Sequence, residues 1–124
     1  MNEAPSNPNN AENFQPYLDP NTFVDSDHHE VIAYAQRVGG RDGTDLEKAV
    51  RLYYGVRDDF RYDPYGVEMT EHGMKGSSVI ERGDGFCITK GALMAAACRV
   101  LDIPARLGFA DVRNHLASKR MVEL

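Results

Sequence analysis

The sequence predicts an α+β fold in which helices dominate, and three observations lead to this prediction. Apolar residues recur at the spacing of a helical face over residues 27–38 and 44–56. A third segment, residues 87–101, is apolar and rich in alanine and follows a glycine-rich turn. Residues 105–110 then alternate between apolar and other side chains, which is typical of a half-buried strand with Ala105, Leu107 and Phe109 on one face.

The first helix is predicted over residues 27–38. Ser26 or Asp27 is placed to cap its first turn, and Gly39 and Gly40 are placed to end it. The helix is expected to bury one face against the rest of the domain. The residues expected on that face are Val31, Ile32, Ala35 and Val38.

The second helix is predicted to begin at Thr44 and to end near Val56. Thr44 and Glu47 have the spacing of a capping box, in which each side chain accepts a hydrogen bond from the backbone N–H of the other residue. We expect this helix to turn its large apolar and aromatic side chains toward the core. These inward residues are Leu46, Ala49, Val50, Tyr53 and Tyr54.

A loop over residues 63–76 is expected to follow, and Ser77 or Ser78 opens a short helical turn before Arg82. The third long helix then runs over residues 87–101. These elements give a modest core, as expected for a domain of this length. The packing residues of the third helix are Leu93, Ala96, Ala97 and Val100.

The most informative residue is Cys87, which is predicted at the first position of the third long helix. A thiol there lies beside unpaired backbone N–H groups and the positive end of the helix dipole, and both favour the reactive thiolate. A lone cysteine is also commonly a small buried apolar residue. Gly83 and Gly85 favour the functional interpretation, since glycines are poor core residues and good turn residues. Cys98, farther along the same helix, is expected to be buried and unreactive.

The chain of 124 residues suits one small domain behind a short N-terminal segment. Residues 1–16 are rich in asparagine and proline and show no apolar periodicity, so we expect them to be disordered. Residues 17–124 are assigned to the domain. Residues 1–30 hold six acidic and no basic side chains, whereas residues 31–124 hold thirteen acidic and fourteen basic ones. The net charge of −5 therefore comes from the N-terminal part of the chain.

Composition argues against several classes of function. The domain has no basic stripe, so no nucleic-acid partner is expected. No run approaches the roughly eighteen apolar residues that cross a membrane, and the N-terminus shows no basic and apolar leader. Cys87 and Cys98 lie about 16 Å apart along one predicted helix and cannot form a disulfide with each other, which favours a reducing cytoplasm.

No metal ion or cofactor is expected. His28, His29 and Glu30 are adjacent, but neighbouring side chains on a helix diverge by about 100° and do not chelate together. Residues 40–45 resemble part of a calcium-binding loop but lack its full spacing and terminal glutamate, so we interpret them as a turn. His72 is expected in a solvated loop. Core or rim positions are expected for Tyr53, Tyr54, Tyr62 and Tyr65.

At the cysteine turn the sequence resembles a known family. The pattern Gly-x-Gly-x-Cys at residues 83–87, an apolar helix, and Leu-Asp-Ile-Pro-Ala-Arg at residues 101–106 resemble the core of the transglutaminase-like superfamily. Residues 56–63 are similar to the family's segment before the active-site loop. The related arylamine N-acetyltransferases carry an Arg-Gly-Gly-x-Cys turn similar to residues 82–87, but residues 103–106 favour the transglutaminase-like family.

The resemblance implies a papain-like fold and a thiol enzyme. In this family the cysteine of the turn is the nucleophile, so Cys87 is the expected catalytic residue. The implied reaction is acyl transfer or hydrolysis at an amide bond through a thioester, with a protein or peptide as the substrate. A crosslink, a deamidated side chain and a cleaved peptide all stay open as products.

The sequence departs from the family pattern after the third helix. Family members carry a histidine on a later strand and an aspartate on the next one. The histidine that follows Cys87 here is His115, in a context typical of a polar helix capped by Asn114. We therefore expect mainly the helical lobe of the domain, without the later strands, the catalytic histidine and the aspartate, and little activity from these residues alone.

Several alternatives stay open. One is a thiol acyltransferase or hydrolase, with His115 as an alternative base. Another is a non-catalytic protein-interaction module, and a third is a thiol sensor. Without later strands, the apolar side of residues 87–101 and the strand edge at residues 105–110 would be uncovered, which favours a homodimer.

Overall fold

A computed structural model describes residues 13–108 of the chain. Residues 1–12, most of the segment expected to be disordered, and residues 109–124, with His115, Phe109 and Ala110, lie outside the described part. The described part is mainly helical with a pair of short strands, which confirms the predicted α+β class. Its elements are α1 (His29–Gly39), α2 (Asp45–Asp59), β1 (Arg61–Tyr62), α3 (Gly76–Arg82), β2 (Asp84–Gly85) and α4 (Cys87–Val100), with 3-10 turns at Gln15–Tyr17 and His72–Met74.

Helix α1 begins at His29, and its N-cap is His28 rather than the predicted Ser26 or Asp27. The Nδ1 atom of His28 accepts a 3.1 Å hydrogen bond from the backbone N–H of Glu30. This bond satisfies one of the first-turn N–H groups that have no acceptor within the helix. Histidine is not among the preferred cap residues, so the capping pattern pointed to the wrong residue. Along the inner face, Val31, Tyr34 and Ala35 are buried, and Ile32 and Val38 are half-buried.

The capping box of α2 is confirmed. Thr44 Oγ1 accepts a 3.2 Å hydrogen bond from the Glu47 N–H, and Glu47 Oε1 accepts a 2.8 Å hydrogen bond from the Thr44 N–H. The Thr44 backbone and side-chain hydrogen bonds lower the pKa of the Glu47 carboxyl. The helix continues past the predicted end at Val56 as far as Asp59.

The predicted inward face of α2 is wrong. Leu52 and Val56 are buried, whereas four of the five residues expected in the core are exposed, and Ala49 is half-buried. The cause is a close approach of α1, because a Cβ atom at Gly55 would lie 2.7 Å from both the Tyr34 hydroxyl and a Val38 methyl group. This contact turns the side of α2 that carries Gly55 inward. The exposed residues are Leu46, Val50, Tyr53 and Tyr54.

Helix α4 lies at the centre, with α1, α2 and α3 packed against it. Its middle turns are buried on all sides within the described residues, which confirms the predicted packing role of Leu93, Ala96 and Ala97. The apolar side of α4 that we expected to be uncovered is therefore largely covered here. The exposed apolar side chain of this helix is Ile88, in its first turn. No helix within residues 13–108 is long and apolar enough to cross a membrane.

Strands β1 and β2 form a short parallel pair that the sequence did not predict. The Arg61 N–H donates to the Gly83 carbonyl at 3.0 Å, and the Asp63 N–H donates to the Gly85 carbonyl at 2.9 Å. This pair holds the chain immediately before α4 against the segment that follows α2. The residues before Cys87 are thus held by backbone hydrogen bonds to β1 and do not form an isolated turn.

Arg99 joins both ends of the described chain to α4. Its side chain is 8% exposed, and its Nε and one terminal nitrogen donate to the Ala105 carbonyl at 3.0 and 2.7 Å. The other terminal nitrogen donates to the Asp19 carbonyl at 2.6 Å, and the Ala105 N–H donates to the Tyr17 carbonyl at 3.0 Å. The described residues 105–108 of the predicted strand alternate between half-buried and exposed positions but belong to no sheet in this part of the chain.

Replacing Arg99 with lysine is expected to lower the free energy of unfolding by about 2 to 4 kcal/mol. A lysine has one charged nitrogen and cannot bridge the Ala105 and Asp19 carbonyls with the same planar geometry, which leaves buried acceptors unpaired. Urea denaturation followed by circular dichroism measures the change. Arg41→Lys, at an exposed position, is the matched control and should change stability little. An equally stable Arg99→Lys protein would contradict the bridging role.

Candidate active site

Cys87 is the first residue of α4 and is exposed to solvent. Phe86 separates Cys87 from the end of β2. It is the N-cap of the helix and has an extended backbone conformation. The predicted position at the start of the helix is therefore confirmed, and the alternative of a buried apolar cysteine is excluded for Cys87. A nucleophile here is accessible from solvent while its backbone belongs to the most buried helix of the domain.

The two glycines before Cys87 are required for different reasons. Gly83 ends α3 with a left-handed backbone (φ +78°), which glycine adopts without steric cost. Gly85 is buried, and a Cβ atom there would lie 2.8 Å from Thr89 Oγ1 and 2.9 Å from a Val79 methyl group. Gly85 therefore lets β2 pack directly on α3 and α4. This contact fixes the position of Cys87 at the start of the helix.

Thr89 fastens the cap residue to the first turn of α4. Its buried hydroxyl accepts a 3.0 Å hydrogen bond from the Phe86 N–H and donates to the Phe86 carbonyl at 3.3 Å. Thr89 was not predicted from the sequence. However, a hydroxyl at the third helical position that accepts a hydrogen bond from the N–H of the cap residue is half of a capping box.

Phe86 has no side-chain acceptor for the N–H groups of the first turn. Within residues 13–108, no acceptor contacts the backbone N–H groups of Cys87 or Ile88. These donors and the positive end of the α4 dipole lie beside the Cys87 sulfur. The local electrostatics therefore favour a negatively charged oxygen atom bound beside Cys87.

Cys98 lies on the same helix but in a different environment. It is buried in a cluster with Ala35, Leu52 and Ala97, and this burial raises the pKa of its thiol. Cys98 is therefore a packing residue, as the sequence predicted.

An apolar groove of about 230 Å³ lies next to the first turn of α4. Ile88, the residue after Cys87, and Ala92, one turn farther on, form its floor on the helix. Its lining is almost entirely apolar. The other lining residues are Phe23, Met74 and Leu107.

None of the described histidines contacts the sulfur of Cys87. The Nε2 atom of His72 lies 3.0 Å from Oε1 of Glu81, and His72 is exposed in the loop before α3, as expected for a solvated histidine. His28 and His29 lie at the start of α1. His115 lies outside the described residues.

The expectation that His28, His29 and Glu30 diverge is wrong, because His28 is the cap and not a helical residue. Their ligand atoms all lie within 4.8 Å of one another. However, the two imidazole rings are stacked, with centroids 4.7 Å apart and an interplanar angle of 18°. Lone pairs lie in the ring planes, so those of stacked rings run side by side and do not converge on one ion.

Other predicted features play structural roles or lie at the surface of the described residues. The Arg51 guanidinium donates to the carbonyl of Gly39, just before residues 40–45, and to the carbonyl of Asp42 within them. These hydrogen bonds support the interpretation of residues 40–45 as a turn rather than a calcium site. Tyr62, the last residue of β1, and Tyr65, in the loop that follows, are both exposed.

Comparison with known proteins identifies one family. The sequence model of the transglutaminase-like superfamily core matches residues 32–122, which begin within α1 and include α2 to α4 and Cys87. No curated protein and no solved structure matches the chain.

In the folded protein, iodoacetamide is expected to label Cys87 to completion before Cys98 reacts measurably. Cys87 is exposed, whereas Cys98 is buried and its raised pKa keeps it protonated until higher pH. Mass mapping of tryptic peptides over a pH series measures both rates. Labelling in urea is the control and should remove the difference. Equal labelling in the folded state would show that α4 does not protect Cys98.

Proposed function

Because this chain belongs to the transglutaminase-like superfamily, we propose that it acts on amide bonds as a cysteine acyltransferase or hydrolase with Cys87 as the nucleophile. One observation carries the proposal. Cys87 is an exposed thiol at the first position of a buried helix, and no acceptor within residues 13–108 contacts the backbone N–H groups of Cys87 and Ile88. This combination supplies both an accessible sulfur and a site for negative charge.

In the proposed reaction the Cys87 thiolate attacks the carbonyl carbon of the amide. A carbon–sulfur bond forms while the carbonyl π electrons move onto oxygen. Collapse of this oxyanion breaks the carbon–nitrogen bond, and the departing amine takes a proton from a general acid. Water or a second amine then attacks the thioester and releases the sulfur as thiolate.

The start of α4 supports the stabilisation of the oxyanion. The backbone N–H of Cys87 is one proposed donor, because it has no acceptor within the described residues and lies at the positive end of the helix. Removing one such donor in other enzymes costs about 10² to 10³ in rate. The donor is a backbone group, so it is placed by the same Gly85 and Thr89 contacts that place the thiol.

The groove beside Ile88 supports a protein or peptide substrate. Its lining is apolar, so a substrate whose acyl carbon reaches Cys87 would place an apolar side chain or the aliphatic part of a longer one against Ile88 and Leu107. The chemistry also requires Cys87 as a free thiol, which favours a reducing compartment such as the cytoplasm.

Acylation and amide turnover make different demands on the site. An activated ester has a good leaving group and needs only the thiolate. An amide needs an acid to protonate the departing amine, and loss of such a group costs about 10² to 10⁴ in rate. No histidine within residues 13–108 hydrogen-bonds the Cys87 sulfur, so we propose that the described residues support ready acylation of Cys87 and only slow amide cleavage.

Purified protein treated with p-nitrophenyl acetate is expected to release a burst of nitrophenol equal to the concentration of protein. Intact mass should show one acetyl group, mapped to Cys87. Cys87→Ala should abolish the burst. Cys98→Ala is the matched control and should retain it, because Cys98 is buried and lies at the other end of α4.

Turnover of a glutamine or peptide amide is measured on the same samples. Slow turnover that disappears in Cys87→Ala agrees with the proposal, and a further loss in His115→Ala would identify His115 as the acid–base residue. A folded protein with no acetylation at Cys87 would contradict the proposed nucleophile and favour the non-catalytic interaction module.

A further inference from the structure

Helix α2 carries an exposed stripe of four apolar and aromatic residues and one arginine. The apolar and aromatic members are between 43% and 74% exposed. Residues 46, 50, 53 and 57 are separated by four, three and four positions and residue 54 lies beside 53, so the five share a single helical face about 16 Å long. We call this face the α2 stripe, and its members are Leu46, Val50, Tyr53, Tyr54 and Arg57.

An apolar helical face is normally buried in the core, and the sequence pattern therefore predicted this face to be buried. The packing of Gly55, Leu52 and Val56 against the rest of the domain leaves the stripe on the opposite side. In the described part of the chain its four apolar and aromatic residues are all exposed. Exposed apolar side chains scattered singly are ordinary, but a continuous stripe of this kind marks an interaction surface.

The aromatic residues of the stripe are held in place before any partner binds. The Tyr53 and Tyr54 rings meet edge to face, with centroids 5.4 Å apart. The Arg57 guanidinium lies 4.7 Å from the Tyr54 ring centroid and 5.9 Å from that of Tyr53. Arg57 is fixed in turn by two hydrogen bonds to Asp58, of 2.7 and 3.0 Å. Tyrosine and arginine are the residues most enriched at binding hot spots, and side chains that are already ordered lose less entropy on binding.

The stripe is complementary to itself when two copies of α2 run in opposite directions. Glu47 and Arg57 are centred on residue 52, and so are Val50 and Tyr54. A two-fold axis at the level of residue 52 therefore places Glu47 of one copy opposite Arg57 of the other. The same axis places Val50 opposite Tyr54, and every contact occurs twice.

The charges permit this pairing. Glu47 uses Oε1 for the capping box and lies at the flank of the stripe, so its second oxygen is available to Arg57 of the other copy. Leu46 then lies beyond the ion pair at each end of the interface. An apolar centre with charged pairs at its edges is the usual composition of a protein–protein contact.

We propose that the α2 stripe is a homodimer interface in which two α2 helices pack antiparallel around a two-fold axis that crosses the stripe at the level of residue 52. The interface includes none of the residues of the proposed catalytic site. It therefore does not depend on whether Cys87 is a nucleophile.

Sedimentation equilibrium of the full chain in reducing buffer tests the proposal over a wide concentration range. We expect a dimer that dissociates on dilution. Val50→Glu and Tyr54→Glu should each raise the dimer dissociation constant by at least about tenfold, because each places two charges at the centre of the interface. Tyr65→Glu is the matched control, since Tyr65 is 95% exposed and lies off the stripe, and it should leave the constant unchanged.

A charge reversal tests the antiparallel geometry itself. Arg57→Glu should weaken the dimer, and the double variant Glu47→Lys with Arg57→Glu should restore part of the affinity, with circular dichroism as a check on folding. A monomer at all concentrations would overturn the proposal. A dimer that survives Val50→Glu and Tyr54→Glu, or one that is instead broken by Ile88→Glu, would overturn it equally.

Discussion

The burial of α4 is the constraint on which the rest of the structure depends. Its middle is built from small side chains, Ala95, Ala96 and Ala97, with Leu93 as the large one, and all are at most 4% exposed. Alanines allow neighbouring helices to approach the α4 backbone closely, so α1, α2 and α3 can all pack on one central helix of fourteen residues. A larger residue at these positions would force the surrounding helices apart.

The same burial explains why two cysteines of one helix have different properties. Cys98 lies where other helices cover α4, so it is enclosed by apolar groups. Cys87 lies at the end where the helix emerges from the core, between the short β2 strand and the apolar groove. A rigid helix therefore presents its first residue to solvent with little freedom of position, and such a support favours precise placement of a reactive group.

Some local features were predictable from the sequence, although the α1 cap was not, and contacts between distant segments were missed. The Thr44–Glu47 capping box and the start of α4 at Cys87 depend on residues within one helical turn, and both were predicted correctly. The inner face of α2 depends on Gly55 meeting α1, and a helical pattern with two apolar sides does not say which side is buried. The β1–β2 pair joins segments more than twenty residues apart through backbone groups, which leave no side-chain pattern. At the site, Thr89 was missed because its role lies in a hydrogen bond to the Phe86 backbone.

The central claim is that the buried helix α4 presents the Cys87 thiol beside backbone N–H groups that can donate hydrogen bonds to a negatively charged oxygen. A crystal structure of the protein bound to a peptide aldehyde tests this most directly, because the aldehyde and a thiol form a hemithioacetal with an oxygen in the position of the oxyanion. We predict a covalent bond to Cys87 Sγ with that oxygen within about 3 Å of the Cys87 backbone nitrogen. An unmodified Cys87, or an adduct whose oxygen points away from the start of α4 into solvent, would contradict the account.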